Sequence, residues 1–177
     1  MPNGKTHDAV TIVLALPVLA AAFLLTKNVW ASILVCGAFG FGGLMFGPDL
    51  DTVSRQFSRW WILKPLWLPY RLIFKHRSRW SHGLVFGALF RVIYFLGILT
   101  AGSFAAVYTI ALYHGAEPPG LAGFLGEWKT FGTFARSLFG EHVFLLFFAG
   151  LWLGAASHTF TDIAGTFIKT GRLAQFH

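Results

Sequence analysis

The chain has 177 residues, of which 55% are hydrophobic and 18% aromatic, whereas only 12% are charged. This composition is too apolar for an ordinary soluble domain, so we expect a compact protein embedded in a membrane. The single cysteine, Cys36, excludes a disulfide framework and a cysteine-based zinc site. The net charge of +7 is concentrated beside the apolar runs, with seven basic residues between Arg55 and Arg79. This placement favours contact with lipid head groups over nucleic-acid binding.

Four apolar runs predict an all-α, multi-pass helical membrane protein with a single integral membrane domain over residues 1–177. The polar turn Lys27–Asn28 separates the first two runs. The second run contains the small-residue stretch Gly37–Gly43, which should pack closely against another helix. The predicted spans are residues 9–26, 29–46, 83–113 and 142–157.

Between the second and third spans, residues 52–75 alternate aromatic and basic side chains, and Pro65 and Pro69 interrupt them. This pattern predicts an amphipathic segment that lies in the membrane interface. Whether the segment also covers a site stays open. The third run is longer than one crossing needs and contains Arg91, whose charge should face the protein interior or snorkel towards the interface.

The distribution of charge orients the four predicted spans. With four crossings, the two termini and the connection 47–82 share one side, which holds ten of the fourteen Lys and Arg residues, against three on the other side. The positive-inside rule therefore places the N- and C-termini in the cytoplasm. The same side holds all four Asp residues and five of the seven His residues, most of them close to predicted helix ends.

Seven histidines and aspartates near these helix ends are candidate metal ligands. His158 and Asp162 are four residues apart and share a helix face, although they could also be an ordinary polar helix end. Asp49 and Asp51 would point the same way in an extended segment and would repel each other unless a cation lay between them. Alternatively, Asp51 caps a helix that starts at Thr52. The candidates are His7, Asp49, Asp51, His76, His82, His158 and Asp162.

Three of these histidines are ambiguous when taken alone. His76 and His82 are six residues apart, so they cannot share a face of one continuous helix, and we predict a bend between them. They could equally be a pair of interfacial histidines. His7 and Asp8, ahead of the first span, could be ligands or could cap the first helix.

Imidazole and carboxylate ligands without thiolate suit a divalent metal, with zinc as the first choice and iron or manganese as alternatives. Seven candidates exceed the ligands of one zinc ion, so we predict one or two ions. Paired ions would activate water and hold a phosphoester for hydrolysis. Arg77 and Arg79 could bind the phosphate oxygens, or they could simply contribute to the positive-inside charge.

Several segments carry a resemblance to a known family: Thr6–Asp8, Phe41–Asp51, His76–Gly83 and the late His158/Asp162 pair. They resemble a family of uncharacterised bacterial membrane metal-binding proteins that are frequent in cyanobacteria. More distantly, the chain resembles membrane-bound metal-dependent hydrolases. The resemblance covers nearly the whole chain and implies metal binding and hydrolysis in a bacterial inner membrane or thylakoid membrane, without indicating a substrate.

Three functions are compatible with these residues. The first is a metal-dependent hydrolase that cleaves a phosphoester, such as a lipid head group, at the cytoplasmic face. The second is a non-catalytic membrane organiser with a structural metal site, and the third is a di-iron membrane oxidoreductase, for which five cytoplasmic histidines are few. The expected partners are membrane lipids and a small-molecule or lipid substrate, and we expect no nucleic acid.

Overall fold

The computed structural model describes residues 3–74 and 78–171, except for the side chain of Arg79. His76, Arg77 and that side chain therefore lie outside the description, as does the predicted bend after His76. Over the described residues the fold is all-α, as predicted. Two 3₁₀ helices, Pro48–Asp51 and Trp61–Trp67, accompany eight α-helices. These are α1 (Gly4–Thr26), α2 (Val29–Leu44), α3 (Arg55–Ser58), α4 (Leu68–Ile73), α5 (Arg79–His82), α6 (Phe86–Tyr113), α7 (Leu121–Phe139) and α8 (Val143–Thr170).

Three of the described helices, α1, α6 and α8, are long and apolar enough to cross a membrane. Helix α2 is apolar but has 16 residues, which span about 24 Å against a hydrocarbon core of roughly 30 Å. Four crossings therefore stay a prediction. Helix α8 continues to Thr170, well beyond its predicted end at residue 157. His158 and Asp162 lie inside the helix, as their predicted shared helix face requires.

Helix α2 packs along both α1 and α8, and glycines allow the backbones to approach closely. A Cβ atom on Gly42 would overlap the backbone carbonyl of Leu151, and one on Gly154 would overlap the carbonyl oxygen of Phe39. The prediction that the small-residue stretch of α2 faces another helix is therefore confirmed. This contact fixes α8 against α2 and sets the position of the polar residues near their ends.

The start of α1 is capped by Asn3, whose side-chain oxygen accepts hydrogen bonds from the backbone N–H groups of Lys5 and Thr6. The side chain supplies partners for donors that a helix start leaves unpaired. His7 and Asp8 lie within the helix, so the prediction that they form the cap was wrong. Both side chains are free to face the rest of the protein.

The segment predicted to lie in the interface, residues 52–75, is partly folded into the protein. The side chains of Trp67 and Tyr70 are fully buried, and Trp60 is nearly so. They form an aromatic cluster in which Trp67 stacks on Phe95 of α6 with parallel rings 5.7 Å apart. For the outward side chains, such as Trp61, the interfacial location stays a prediction.

Arg91 confirms the prediction of an inward-facing charge in α6. Its side chain is buried, and its Nη1 atom donates a hydrogen bond of 2.6 Å to the backbone carbonyl of Ser81. The bond ties α6 to the short helix α5, which ends at His82. Most of α6 beyond this point is exposed in the isolated chain, as is most of α7.

Candidate metal centre

Six of the seven predicted ligands lie within the described residues, and the fold brings them into one cluster. Helices α1 and α8, the 3₁₀ helix Pro48–Asp51 and helix α5 supply them. Five of their side chains are at most 6% exposed, and Asp49 is 26% exposed. The members are His7, Asp49, Asp51, His82, His158 and Asp162. The seventh, His76, lies outside the described residues.

His7, His158 and Asp162, here called the metal triad, form the most compact part of the cluster. The two imidazole rings stack with centroids 3.7 Å apart. The Asp162 carboxylate faces both rings, with Oδ1 3.2 Å from Nε2 of His7 and Oδ2 3.7 Å from Nε2 of His158. One ligand atom of each residue lies within 4.8 Å of the others. The shared helix face predicted for His158 and Asp162 is present.

The carboxylate of Asp49 joins the metal triad to His82. Its Oδ2 atom is 3.4 Å from Nε2 of His158, and its Oδ1 atom is 3.5 Å from Nε2 of His82. Burial alone would raise the pKa of Asp49, but the adjacent imidazoles of His158 and His82 outweigh it and hold the pKa far below its usual range. The carboxylate is therefore ionised and can serve as a ligand.

Asp51 lies on the other side of the His82 ring. Its Oδ2 atom is 3.5 Å from Nδ1 of His82, and the hydroxyl of Ser81 is 3.0 Å from the same nitrogen. The prediction of an extended segment with both carboxylates pointing one way was wrong, because the 3₁₀ turn directs them to opposite ring nitrogens. This arrangement suits Asp51 to orienting the His82 ring.

Asp51 does not cap the next helix either. The cap of α3 is Ser54, whose hydroxyl accepts a hydrogen bond from the backbone N–H of Phe57. The competing explanation for Asp51 was therefore wrong, and its carboxylate instead lies beside the ring of His82.

Gln56 contacts the cluster although sequence reasoning did not identify it. Its Nε2 donates to the backbone carbonyl of Gly43 at 2.8 Å, and its Oε1 accepts from the backbone N–H of Asp49 at 3.1 Å. These two bonds fix the amide orientation and place Nε2 3.2 Å from Nδ1 of His158. Nδ1 then accepts, so the ring proton lies on Nε2. A metal ion held by His158 would displace that proton.

Asp8, the neighbour of His7, has a structural role instead. The guanidinium of Arg59 donates to both of its carboxylate oxygens at 2.9 and 2.6 Å, and Arg55 lies 2.7 Å from Oδ2. Arg59 also donates to the backbone carbonyl of Leu44 at the end of α2. Asp8 therefore anchors the segment after α2 to helix α1, close to the metal triad.

The described residues fit a metal ion on two grounds. Nε2 of His158 is buried and has no hydrogen-bond partner among the described residues, although it faces the carboxylates of Asp49 and Asp162. Ligand atoms that share a tetrahedral zinc ion at about 2.0–2.1 Å lie roughly 3.3 Å apart. The separations of 3.2–3.7 Å between imidazole nitrogens and carboxylate oxygens are of this size.

A family model described as "Uncharacterized metal-binding protein (DUF2227)" matches residues 2–172. The chain belongs to this family. DUF2227 proteins are described as metal-binding, and in this member the buried metal triad could hold the ion, whose identity the comparison leaves open. No curated protein and no solved structure matches the chain.

For this DUF2227 protein the cluster therefore divides into two parts. The metal triad could provide three ligands for one ion. Asp49 and His82 lie beside it, with Asp51 behind the His82 ring. The roles predicted for His76 as a ligand and for Arg77 and Arg79 as phosphate-binding residues fall outside the described part of the chain.

Proposed function

We propose that this protein is a membrane-embedded, metal-dependent hydrolase that cleaves a phosphoester at the cytoplasmic face of the membrane. The metal triad would hold a zinc ion, with iron or manganese as alternatives, and Asp49 with His82 would contribute ligands to a second ion. The imidazole and carboxylate donors support a metal of this kind. The ten-to-three distribution of basic residues supports the cytoplasmic placement.

One observation favours hydrolysis over a purely structural site: the cluster opens to the exterior at Asp49. Its side chain is 26% exposed, whereas the other five members are at most 6% exposed. Structural zinc sites are closed by protein ligands, whereas catalytic sites keep a position for water or substrate. A partly exposed ligand provides such a position.

A metal ion held by these residues would lower the pKa of a water molecule and offset charge on the phosphoryl oxygens. Asp49 would serve as a ligand, because its two carboxylate oxygens lie 3.4 and 3.5 Å from Nε2 of His158 and Nε2 of His82. Asp51 and Ser81 hold the His82 ring in place. In the hydrolysis, the water oxygen bonds to phosphorus, the bond from phosphorus to the ester oxygen breaks, and one water proton ends on the departing oxygen.

The test combines metal analysis with an assay on detergent-purified protein. We expect stoichiometric transition metal and hydrolysis of p-nitrophenyl phosphate or bis(p-nitrophenyl) phosphate, lost with a chelator and restored by zinc, manganese or iron. Asp49→Asn should lower the hydrolysis rate. Glu127→Gln, at an exposed position of α7, is the matched control and should leave the rate unchanged.

A structural metal site is the second candidate, because five of the six clustered side chains are nearly inaccessible. In that case the protein would bind metal stoichiometrically but hydrolyse no phosphoester with any of the three metals. That result would overturn the hydrolase proposal. Bound iron with an oxygen-dependent activity would instead indicate the oxidoreductase.

A further inference from the structure

The segment that carries His82 is too short to hold its own position. Helix α5 has four residues, Arg79–His82, and residues 83–85 connect it to α6. A single helical turn is unstable by itself, because few backbone hydrogen bonds offset the loss of conformational entropy. Yet the His82 side chain is 1% exposed and lies between the carboxylates of Asp49 and Asp51. Contacts from other helices must therefore hold this segment in place.

The first such contact comes from Arg91 of α6. Its Nη1 atom donates a hydrogen bond of 2.6 Å to the backbone carbonyl of Ser81, the residue before His82. Gly87, one turn earlier on α6, leaves room for this carbonyl, because a Cβ atom there would lie 2.5 Å from its oxygen. Both Ser81 and Arg91 are buried. A charge-assisted hydrogen bond is stronger than a neutral one, so this bond fixes α5 against α6.

The second contact comes from Trp152 of α8. Its indole Nε1 atom donates a hydrogen bond of 2.6 Å to the backbone carbonyl of Leu84, two residues after His82. Helix α8 also carries His158 and Asp162. Trp152 therefore ties the His82 segment to the helix that supplies two members of the metal triad, and the two hydrogen bonds enclose His82 along the chain.

The charge of Arg91 contributes as well. Arg91 is the only lysine or arginine among the buried side chains of the described residues. The carboxylates of Asp51 and Asp49 attract its guanidinium, and the same two groups contact opposite nitrogens of His82. A buried cation is stable only where such partners offset its loss of hydration. Arg91 therefore balances part of the negative charge around His82 and also holds the backbone beside it.

We infer that Arg91 and Trp152 are positioning residues that hold His82 against Asp49. The inference rests on the proposed function, in which Asp49 and His82 contribute ligands to a second ion. Arg91 and Trp152 act through the backbone carbonyls on either side of His82 rather than as ligands. Loss of either hydrogen bond should therefore weaken the second ion selectively and leave the metal triad intact.

The first experiment is a zinc titration of metal-free, full-length protein in detergent, read by competition with a chelator. The second ion has fewer ligands than the triad and should bind more weakly. Trp152→Phe keeps an aromatic ring and removes the donor. We expect it to lower the affinity for the weaker ion about tenfold, the lower range for residues that support a ligand, with the tighter ion unchanged. Trp128→Phe, at an exposed position of α7, is the matched control and should change neither affinity.

Arg91 is tested by two substitutions. Arg91→Met removes the donor and the charge but keeps an unbranched side chain, and we expect the affinity for the second ion to fall about 100-fold. Arg91→Lys restores a cationic donor and should recover most of that loss, because one nitrogen makes the bond to Ser81. Trp152→Phe carries the test if Arg91→Met does not fold. Equal weakening of both ions would indicate a role in stability alone and would overturn the inference.

The second experiment observes His82 without any metal. Isotopic labelling of the histidine rings gives their nitrogen chemical shifts by NMR, and the His82 signals are assigned by their loss in His82→Gln. We expect Trp152→Phe and Arg91→Met to shift the His82 signals and to leave those of His7 and His158 unchanged. Unchanged His82 signals in the variants that fold would contradict a positioning role.

The two experiments separate failure of the inference from failure of the proposed function, since neither depends on hydrolysis. If wild-type protein binds a single zinc ion but the His82 signals shift in the variants, the second ion fails and the positioning role stands. If two ions bind, and the variants change neither the affinity for the second ion nor the His82 signals, the positioning role fails and the proposed metal centre stands.

Discussion

Helices α6 and α8 have the same length and are both apolar enough to cross a membrane, yet they have different surroundings. Half of the most apolar stretch of α8 is buried in the protein, and none of that of α6 is. Helix α8 places Gly154 against α2 and carries the buried pair His158 and Asp162. In α6, a Cβ atom on Gly102 would meet no atom of another element within 4 Å. Small and polar residues, rather than hydropathy, distinguish the helix at the centre of the site from the one at its edge.

The largest expected effect comes from Gly154→Leu in α8. A side chain there overlaps the carbonyl of Phe39 and separates α8 from α2, so we expect destabilisation of about 3 kcal/mol or more. Gly102→Leu in α6 meets open space and should be close to neutral. Thermal unfolding in detergent, followed by size-exclusion chromatography, compares the two variants. Equal stability would show that the close contact of α2 and α8 does not hold the fold together.

Removal of the Asp162 carboxylate should abolish metal binding. Asp162→Asn replaces one carboxylate oxygen by an NH2 group and removes the negative charge beside Nε2 of both His7 and His158. We expect metal affinity to fall by more than about 100-fold, which is the upper range for residues that only support a ligand. Elemental analysis and competition with a zinc chelator measure the loss. Glu127→Gln in α7 serves as the control. Retention of full metal content in Asp162→Asn would exclude the triad as the ion's site.

A smaller effect is expected for Asp51→Asn, because Asp51 contacts the ring of His82 on the side away from Asp49. Substitutions of residues that orient a metal ligand typically cost about 10–100-fold in affinity or activity. Metal titration of the variant beside Asp162→Asn measures the difference. A loss as large as that of Asp162→Asn would make Asp51 a direct ligand.

The smallest effects are expected for two ion pairs, one close to the metal triad and one at the exposed helix α7. Arg59 donates two hydrogen bonds to Asp8 and a third to Leu44, so Arg59→Ala should destabilise the protein by about 2 kcal/mol. Arg136 of α7 is 3.9 Å from the exposed Glu141, and loss of such a surface pair costs about 0–1 kcal/mol. Midpoints of thermal unfolding give both values. If Arg136→Ala lowered the unfolding midpoint more than Arg59→Ala does, the exposed helix α7 would contribute more to stability than its few buried contacts indicate.

Most members of the candidate site could be predicted, because His and Asp are common metal ligands and because these residues lie near the ends of predicted helices. His158 and Asp162 share a face at a spacing of four residues, and six of the seven predicted ligands do converge. Gln56 could not be predicted, since its amide is held by the backbones of Gly43 and Asp49. Its neighbours in sequence suggested only an interfacial segment.

The sequence by itself determined the all-α class, the apolar helices and the placement of His and Asp residues near helix ends, since hydropathy and helix periodicity are local properties. Only the tertiary structure decided that Asp49 and Asp51 contact opposite nitrogens of His82, that Asp8 pairs with arginines, and that the aromatic side chains after α2 turn inward. These outcomes depend on contacts between residues far apart in the chain. The close approach of α2 and α8 brings those residues together.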